Sequence, residues 1–159
     1  MSVDGLIGDA IVTALRVETF VVTPADPPTP AVNLPDASIV RSKTPSLPPK
    51  TNPPKIVVVV GDRPSKVERL TATEKLSYWP CSVVVFAGGG SKQDDDERSR
   101  TWRGQIERKV FDQDATTFAS VTGFNGVAAA EKSAFDPAAL DKDLAALTSN
   151  FEVQVIEDL

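Results

Sequence analysis

Apolar residues near the amino terminus recur at alternating steps of three and one: Val3, Leu6, Ile7, Ala10, Ile11, Ala14 and Leu15. That spacing lays them along one stripe of an amphipathic helix over about residues 3–17, with Asp9, Thr13 and Arg16 on the opposite face. Ser2 or Asp4 can cap its first free amides. The β-branched run Thr19-Phe-Val-Val-Thr23 predicts a short strand.

Further along, the pattern changes from helical to extended. Lys55-Ile-Val-Val-Val-Val-Gly61 holds five consecutive β-branched residues, which cannot alternate in and out, so this strand is expected to bury both faces. Cys81-Ser-Val-Val-Val-Phe-Ala87 reads the same way and ends in three glycines, 88–90. Between them, residues 66–71 alternate and predict a strand with one solvated face. Leu76, Tyr78 and Trp79 lead into the second buried run, where Pro80 marks an edge or a bulge. A second helix is expected at about 98–111, with Trp102, Ile106 and Val110 on its core edge and the acidic residues 94–97 ahead of it, where the helix dipole favours negative charge. Asn125-Gly126 predicts a hairpin turn within residues 118–135. Pro137 can open a short helix bearing Leu140, Leu144 and Leu147. Phe151-Glu-Val-Gln-Val155 alternates strictly, as a half-buried strand does. The fold class expected is α+β: a mostly antiparallel sheet flanked by the N-terminal helix and the helix near 98–111, in one domain over 1–159.

Proline changes that picture in one window. Ten of the 13 prolines fall within residues 24–54. Each fixes its own φ and removes a donor, so most of the stretch is expected to be an extended arm or loop, with Pro27, Pro28, Pro30, Pro48 and Pro49 as candidate docking positions. Residues 37–41 in its middle can still pair as a short strand. On the arm reading, deleting about residues 26–52 leaves the domain folded and impairs joining to partners.

Composition narrows the chemistry. The 159 residues include no histidine and one cysteine, Cys81. The commonest general base is therefore missing, as is any intrachain disulfide or thiolate zinc cluster. Cys81, beside Pro80 and a valine run, reads as a buried structural thiol. The Gly88-Gly-Gly-Ser-Lys92 turn departs from a phosphate loop, because serine precedes the lysine, glutamine follows it and four acids come next. Residues 94–97 lack the ligand spacing of a calcium loop. No metal or cofactor is expected, and no enzymatic reaction is specified.

Charge is distributed unevenly. Residues 1–130 carry 15 basic and 15 acidic side chains, so the net −5 resides in residues 131–159. Residues 92–112 are balanced at six and six, which argues against direct, sequence-specific nucleic-acid binding. Arg98, Arg100, Arg103, Arg108 and Lys109 on the second helix and Asp141, Asp143, Glu157 and Asp158 near the carboxyl end are candidate subunit-interface residues, cation on one copy meeting acid on the next. Charge reversal at Arg103 and Arg108 is then expected to weaken assembly, more so at low salt. The start, Met1-Ser-Val-Asp-Gly, has no signal-peptide form, and no run approaches the ~20 apolar residues that span a bilayer, so no membrane partner is expected.

The order of these segments resembles the small tail terminator proteins of long-tailed bacteriophages. The resemblance rests on Gly5-Leu-Ile-Gly-Asp-Ala-Ile-Val-Thr-Ala-Leu15, Pro54-Lys-Ile-Val-Val-Val-Val60, Ser82-Val-Val-Val-Phe86, Thr101-Trp-Arg-Gly-Gln-Ile106 and Phe151-Glu-Val-Gln-Val-Ile156. The long proline-rich insertion departs from it. The resemblance implies a homo-oligomeric ring, a hexamer, that caps the tail tube at the head–tail junction and offers a docking surface to the head. Its partners would be the tail tube protein and neck or connector proteins, and its place the virion, assembled in the host cytoplasm. A head completion or connector adaptor protein, or a small cellular binding domain, are the alternatives.

Overall fold

The computed structural model describes residues 2–21, 31–43, 55–86, 92–135 and 146–159. Helix α1 (Val3–Arg16) follows the apolar stripe, burying Ile7, Ala10, Ile11 and Leu15. Asp4 in its first turn and Arg16 in its last complement the helix dipole. Arg16 also donates to the carbonyls of Asp36 (3.3 Å) and Ile39 (3.1 Å), stapling the helix end to the next segment. Strand β1 (Thr19–Val21) pairs antiparallel with β2 (Ala31–Asn33) as a separate two-stranded sheet.

A six-stranded sheet forms the body. β3 (Ile39–Arg41), β4 (Lys55–Val60), β6 (Glu74–Phe86) and β8 (Ala146–Asp158) lie in that order, ending at β7 (Phe124–Ala129), while β5 (Lys66–Arg69) also pairs with β6. All pairings are antiparallel except β3 with β4. The expected α+β class with a mostly antiparallel sheet is therefore what the chain adopts. β6 and β8 run side by side for 13 residues, from Glu74 opposite Asp158 to Phe86 opposite Ala146. At the usual rise this is a spine of about 40 Å.

The two all-buried runs behave as their composition requires. Every residue of β4 and of 81–86 is buried. Ile56, Val58, Val60, Cys81, Val83 and Val85 face the helices, joined by Phe151, Val153 and Val155 of β8. Val57, Val59, Val84 and Phe86 form a second cluster on the other face, under Val40, Ala134 and Phe135. Ser82 holds that cover in place, donating to Asn150 (2.7 Å) and accepting from the Ala134 amide (2.8 Å).

Helix α2 (Lys92–Glu107) starts earlier than its apolar residues indicate, so 94–97 lie in its first turns rather than ahead of it. Trp102, Ile106 and Val110 are all buried against the sheet. The helix widens at its end into one π-type turn, Arg108–Asp112, closed by the Gln113 amide on the Arg108 carbonyl (3.0 Å). Phe111 there meets Phe151 edge-on at 6.0 Å. Short helix α3 (Asp114–Thr117) follows. Phe20 of β1 packs on Trp102 at 5.3 Å, and Gln105 donates to the Thr19 carbonyl (2.7 Å), so α2 carries the small sheet.

Five expectations need correction. Asn125-Gly126 is not the hairpin turn: it sits inside β7 as a bulge, and the reversal occurs upstream at Gly123. Pro80 is neither at an edge nor bulged. Its carbonyl accepts the Gly61 amide (2.9 Å), so its nitrogen faces the gap where β4 has ended and β5 has not begun, the one place in a central strand where a donor is not required. β5 is largely exposed on both faces rather than one. Leu147 belongs to β8 and not to a helix after Pro137; residues 136–145 lie outside the described residues. Finally, the window 24–54 is not one arm. Its middle is built into the domain through β3 and the buried Leu34 and Ile39. Residues 22–30 and 44–54, with Pro27, Pro28, Pro30, Pro48 and Pro49, lie outside the described residues.

Candidate interaction surfaces

The basic residues of the second helix occupy different settings. Arg103 donates to Glu107 one turn on (3.1 Å), and the same carboxylate oxygen accepts from Ser149 of β8 (3.2 Å). Lys109 reaches Glu18 at 3.7 Å across the seam to α1. Arg100 is exposed and Arg98 half-buried, and both are engaged with neighbouring groups. Arg108 is exposed beside Thr101, Gly104 and Asp112. Four of the five predicted interface cations thus have partners within the subunit, two of them carboxylates supplied by i,i+4 spacing and by the α1–α2 seam.

The acidic candidates are separated from them along the spine. Glu107 meets β8 at Ser149, whereas Glu157 and Asp158 lie eight and nine residues further on, at the end where β6 begins. At ~3.4 Å per residue that gap is close to 30 Å, so Arg103, held by Glu107, does not reach them within one chain. Glu157 accepts the Trp79 indole N–H at 3.3 Å, and Asp158 is exposed opposite Glu74. Asp141 and Asp143 lie outside the described residues.

Reactive chemistry has little to work with among the described residues. Cys81 is fully enclosed, and desolvation pushes its thiol far above the ordinary range, so no thiolate is present at neutral pH. No three His, Cys, Asp or Glu side chains gather into a metal-holding group among the described residues. A concavity of about 560 Å³ is an open groove between α1 and the turns after α2. Leu6, Ala10, Ala14 and Val17 floor one wall and Thr116, Thr117 and Ala119 the other, with Asp9 and Lys109 as its charges.

No family model, no curated protein and no solved structure matches the chain. None of the described helices is long and apolar enough to cross a membrane.

The sheet margins are what the pattern of residues left unread. Among the described residues, no strand pairs with the outer edge of β5 or of β7. β5 carries Val67 at 49% exposure; Leu70 (46%), just beyond β5, and Leu159 (62%), just beyond β8, are exposed too, the Leu159 amide bonding the Thr73 carbonyl. On the open face Lys66 sits over the Tyr78 ring (5.3 Å) and pairs with Glu68, which holds that carboxyl below its usual range. Exposed apolar residues in a short alternating strand signal an edge only once the neighbours of that strand are known.

Proposed function

We propose that the protein is a structural component of a bacteriophage virion at the head–tail junction, acting as a tail terminator: a ring of identical subunits, six in number, that ends the growth of the tail tube and presents a docking surface to the neck. The observation that carries this reading is the order in which the quoted segments build the domain. The amphipathic helix α1, the doubly buried β4 and β6, the Trp-bearing α2 and the terminal strand β8 make one α+β unit, the architecture that the resemblance implies. The distribution of charge supports self-association: Arg103 on α2 and the acids at the far end of β8 are too distant to meet within one subunit but can meet between two. Such a protein works through surface and stoichiometry, and its place is the virion.

The test is direct. Purified protein added to polymerising tail tube protein is expected to stop elongation at substoichiometric amounts and to appear as a cap at one tube end by negative-stain microscopy. Tubes that lengthen unchanged, with the protein bound instead to isolated heads or portals, would favour a connector adaptor.

A further inference from the structure

We propose that copies of this chain join edge to edge through their sheets, the β7 strand of one subunit pairing antiparallel with the β5 strand of the next; this rests on the ring reading above and specifies its interface. Three properties of the β5 and β7 edges carry the inference.

The first is direction. β7 runs antiparallel to β8, β8 to β6 and β6 to β5, so β5 and β7 run in opposite senses at the two margins of one four-stranded strip. A neighbour placed alongside without inversion therefore presents its β5 antiparallel to β7.

The second is the phase of the backbone groups. The Ala130 amide bonds the Asn150 carbonyl, so by alternation Ala128 and Gly126 also point toward β8, and Val127 and Ala129 direct their N–H and C=O outward. On β5 the Leu70 amide bonds the Glu74 carbonyl, so Glu68 and Lys66 point inward, and Val67 and Arg69 point outward. Val127 sits opposite Val153 and Val67 opposite Ser77, both on the helix-covered face. Residues that exchange hydrogen bonds across an antiparallel pair must have their side chains on the same face. Both outward-facing sets meet that condition, so the joined sheets keep all helices on one side.

The third is side-chain chemistry and level. Val67, 49% exposed, would lie beside the half-buried Val127. β5 spans the level of β8 residues 154–157 and β7 that of 151–155, so the margins overlap. Pairing Val67 with Val127 or Ala129 staggers neighbours by two or four residues, the tilt a sheet needs to close on itself. A heterologous contact of this type closes into a ring when the rotation it imposes closes, as the ring reading requires.

Val67→Pro and Val127→Pro each remove one outward-facing donor while leaving the ladder to β6 or β8 intact. Cooperative melting and tryptophan fluorescence check that each variant folds. Each alone is expected to lose the wild-type ring and run as a monomer in native mass spectrometry. Mixed, they are expected to give a one-to-one dimer, since the Val67→Pro chain keeps a sound β7 and the Val127→Pro chain a sound β5. Rings that persist in both variants would overturn the edge pairing while the ring reading stands. A Val67→Pro dimer beside a Val127→Pro monomer would replace it with a two-fold β7–β7 contact. A monomeric wild type would remove the ring reading and this pairing with it. Hydrogen exchange on the unaltered protein gives the same answer without a variant: the amides of Val67, Arg69, Val127 and Ala129 slow on assembly, and uniform fast exchange there contradicts the pairing.

Discussion

Gly123 stands at φ +81°, and a Cβ on it would come within 2.2 Å of the Ile156 carbonyl oxygen. The Ile156 amide in turn bonds the Gly123 carbonyl at 2.8 Å, so the turn is clamped to the spine by its closest backbone approach. Both the left-handed backbone and the lack of space demand glycine. Gly123→Ala is therefore expected to cost about 2 kcal/mol or more in urea unfolding, and a change under about 0.5 kcal/mol would show that the turn moves freely. Asp4 gives a pH signature. The Ser2 hydroxyl, then the Arg41 guanidinium at 2.9 Å and the Gly5 amide, hold its carboxyl below the ordinary 3.8. A lowered folded-state pKa contributes stability above the unfolded value and loses it as pH falls through the folded one. Asp4→Asn is expected to cost at most about 1 kcal/mol at pH 7, as partly exposed pairs do. The difference from wild type should close as the pH is taken below 3.8. A gap that stays constant down to acid pH would mean the carboxylate charge contributes nothing.

α2 shows how propensity and packing divide the work. Its apolar residues are few, but Trp102, Ile106 and Val110 return every four positions, and that spacing sufficed to place its core edge. Its start was not readable, because acidic residues suit either the flank or the first turn of a helix. Gly104 faces open space, with nothing within 4 Å of where an added Cβ would stand, so Gly104→Ala is expected to stabilise by about 0.5–1 kcal/mol, seen as a higher melting temperature. The doubly buried strands were readable for the converse reason: one isoleucine and four valines in succession in β4, and three valines and a phenylalanine in β6, leave no side for water. Asn125-Gly126 misled because a bulge and a type I′ turn call for similar residues, and only the Gly123–Ile156 contact decides between them. The edges of β5 and β7 were not readable at all. An edge is a property of the neighbours, and the order β5-β6-β8-β7 pairs residues as far apart as Glu74 and Asp158.

The whole molecule is a long antiparallel spine with helices on one face and a proline-rich region that is partly structural. Deleting residues 26–52 would remove β3 along with Leu34 and Ile39, which lie in the main core. The cooperative melt is expected to be lost or lowered by well over about 10 °C, since several kcal/mol of apolar burial go with them. If the deletion variant melts like the full chain, β3 is dispensable and the sheet begins at β4. The central claim, that this protein acts through contacts between copies, is tested most directly by the native mass of the purified full chain at micromolar concentration. A single closed species of six chain masses, annular in negative stain, is the result expected; a monomer that stays one chain mass across concentration and salt would contradict it.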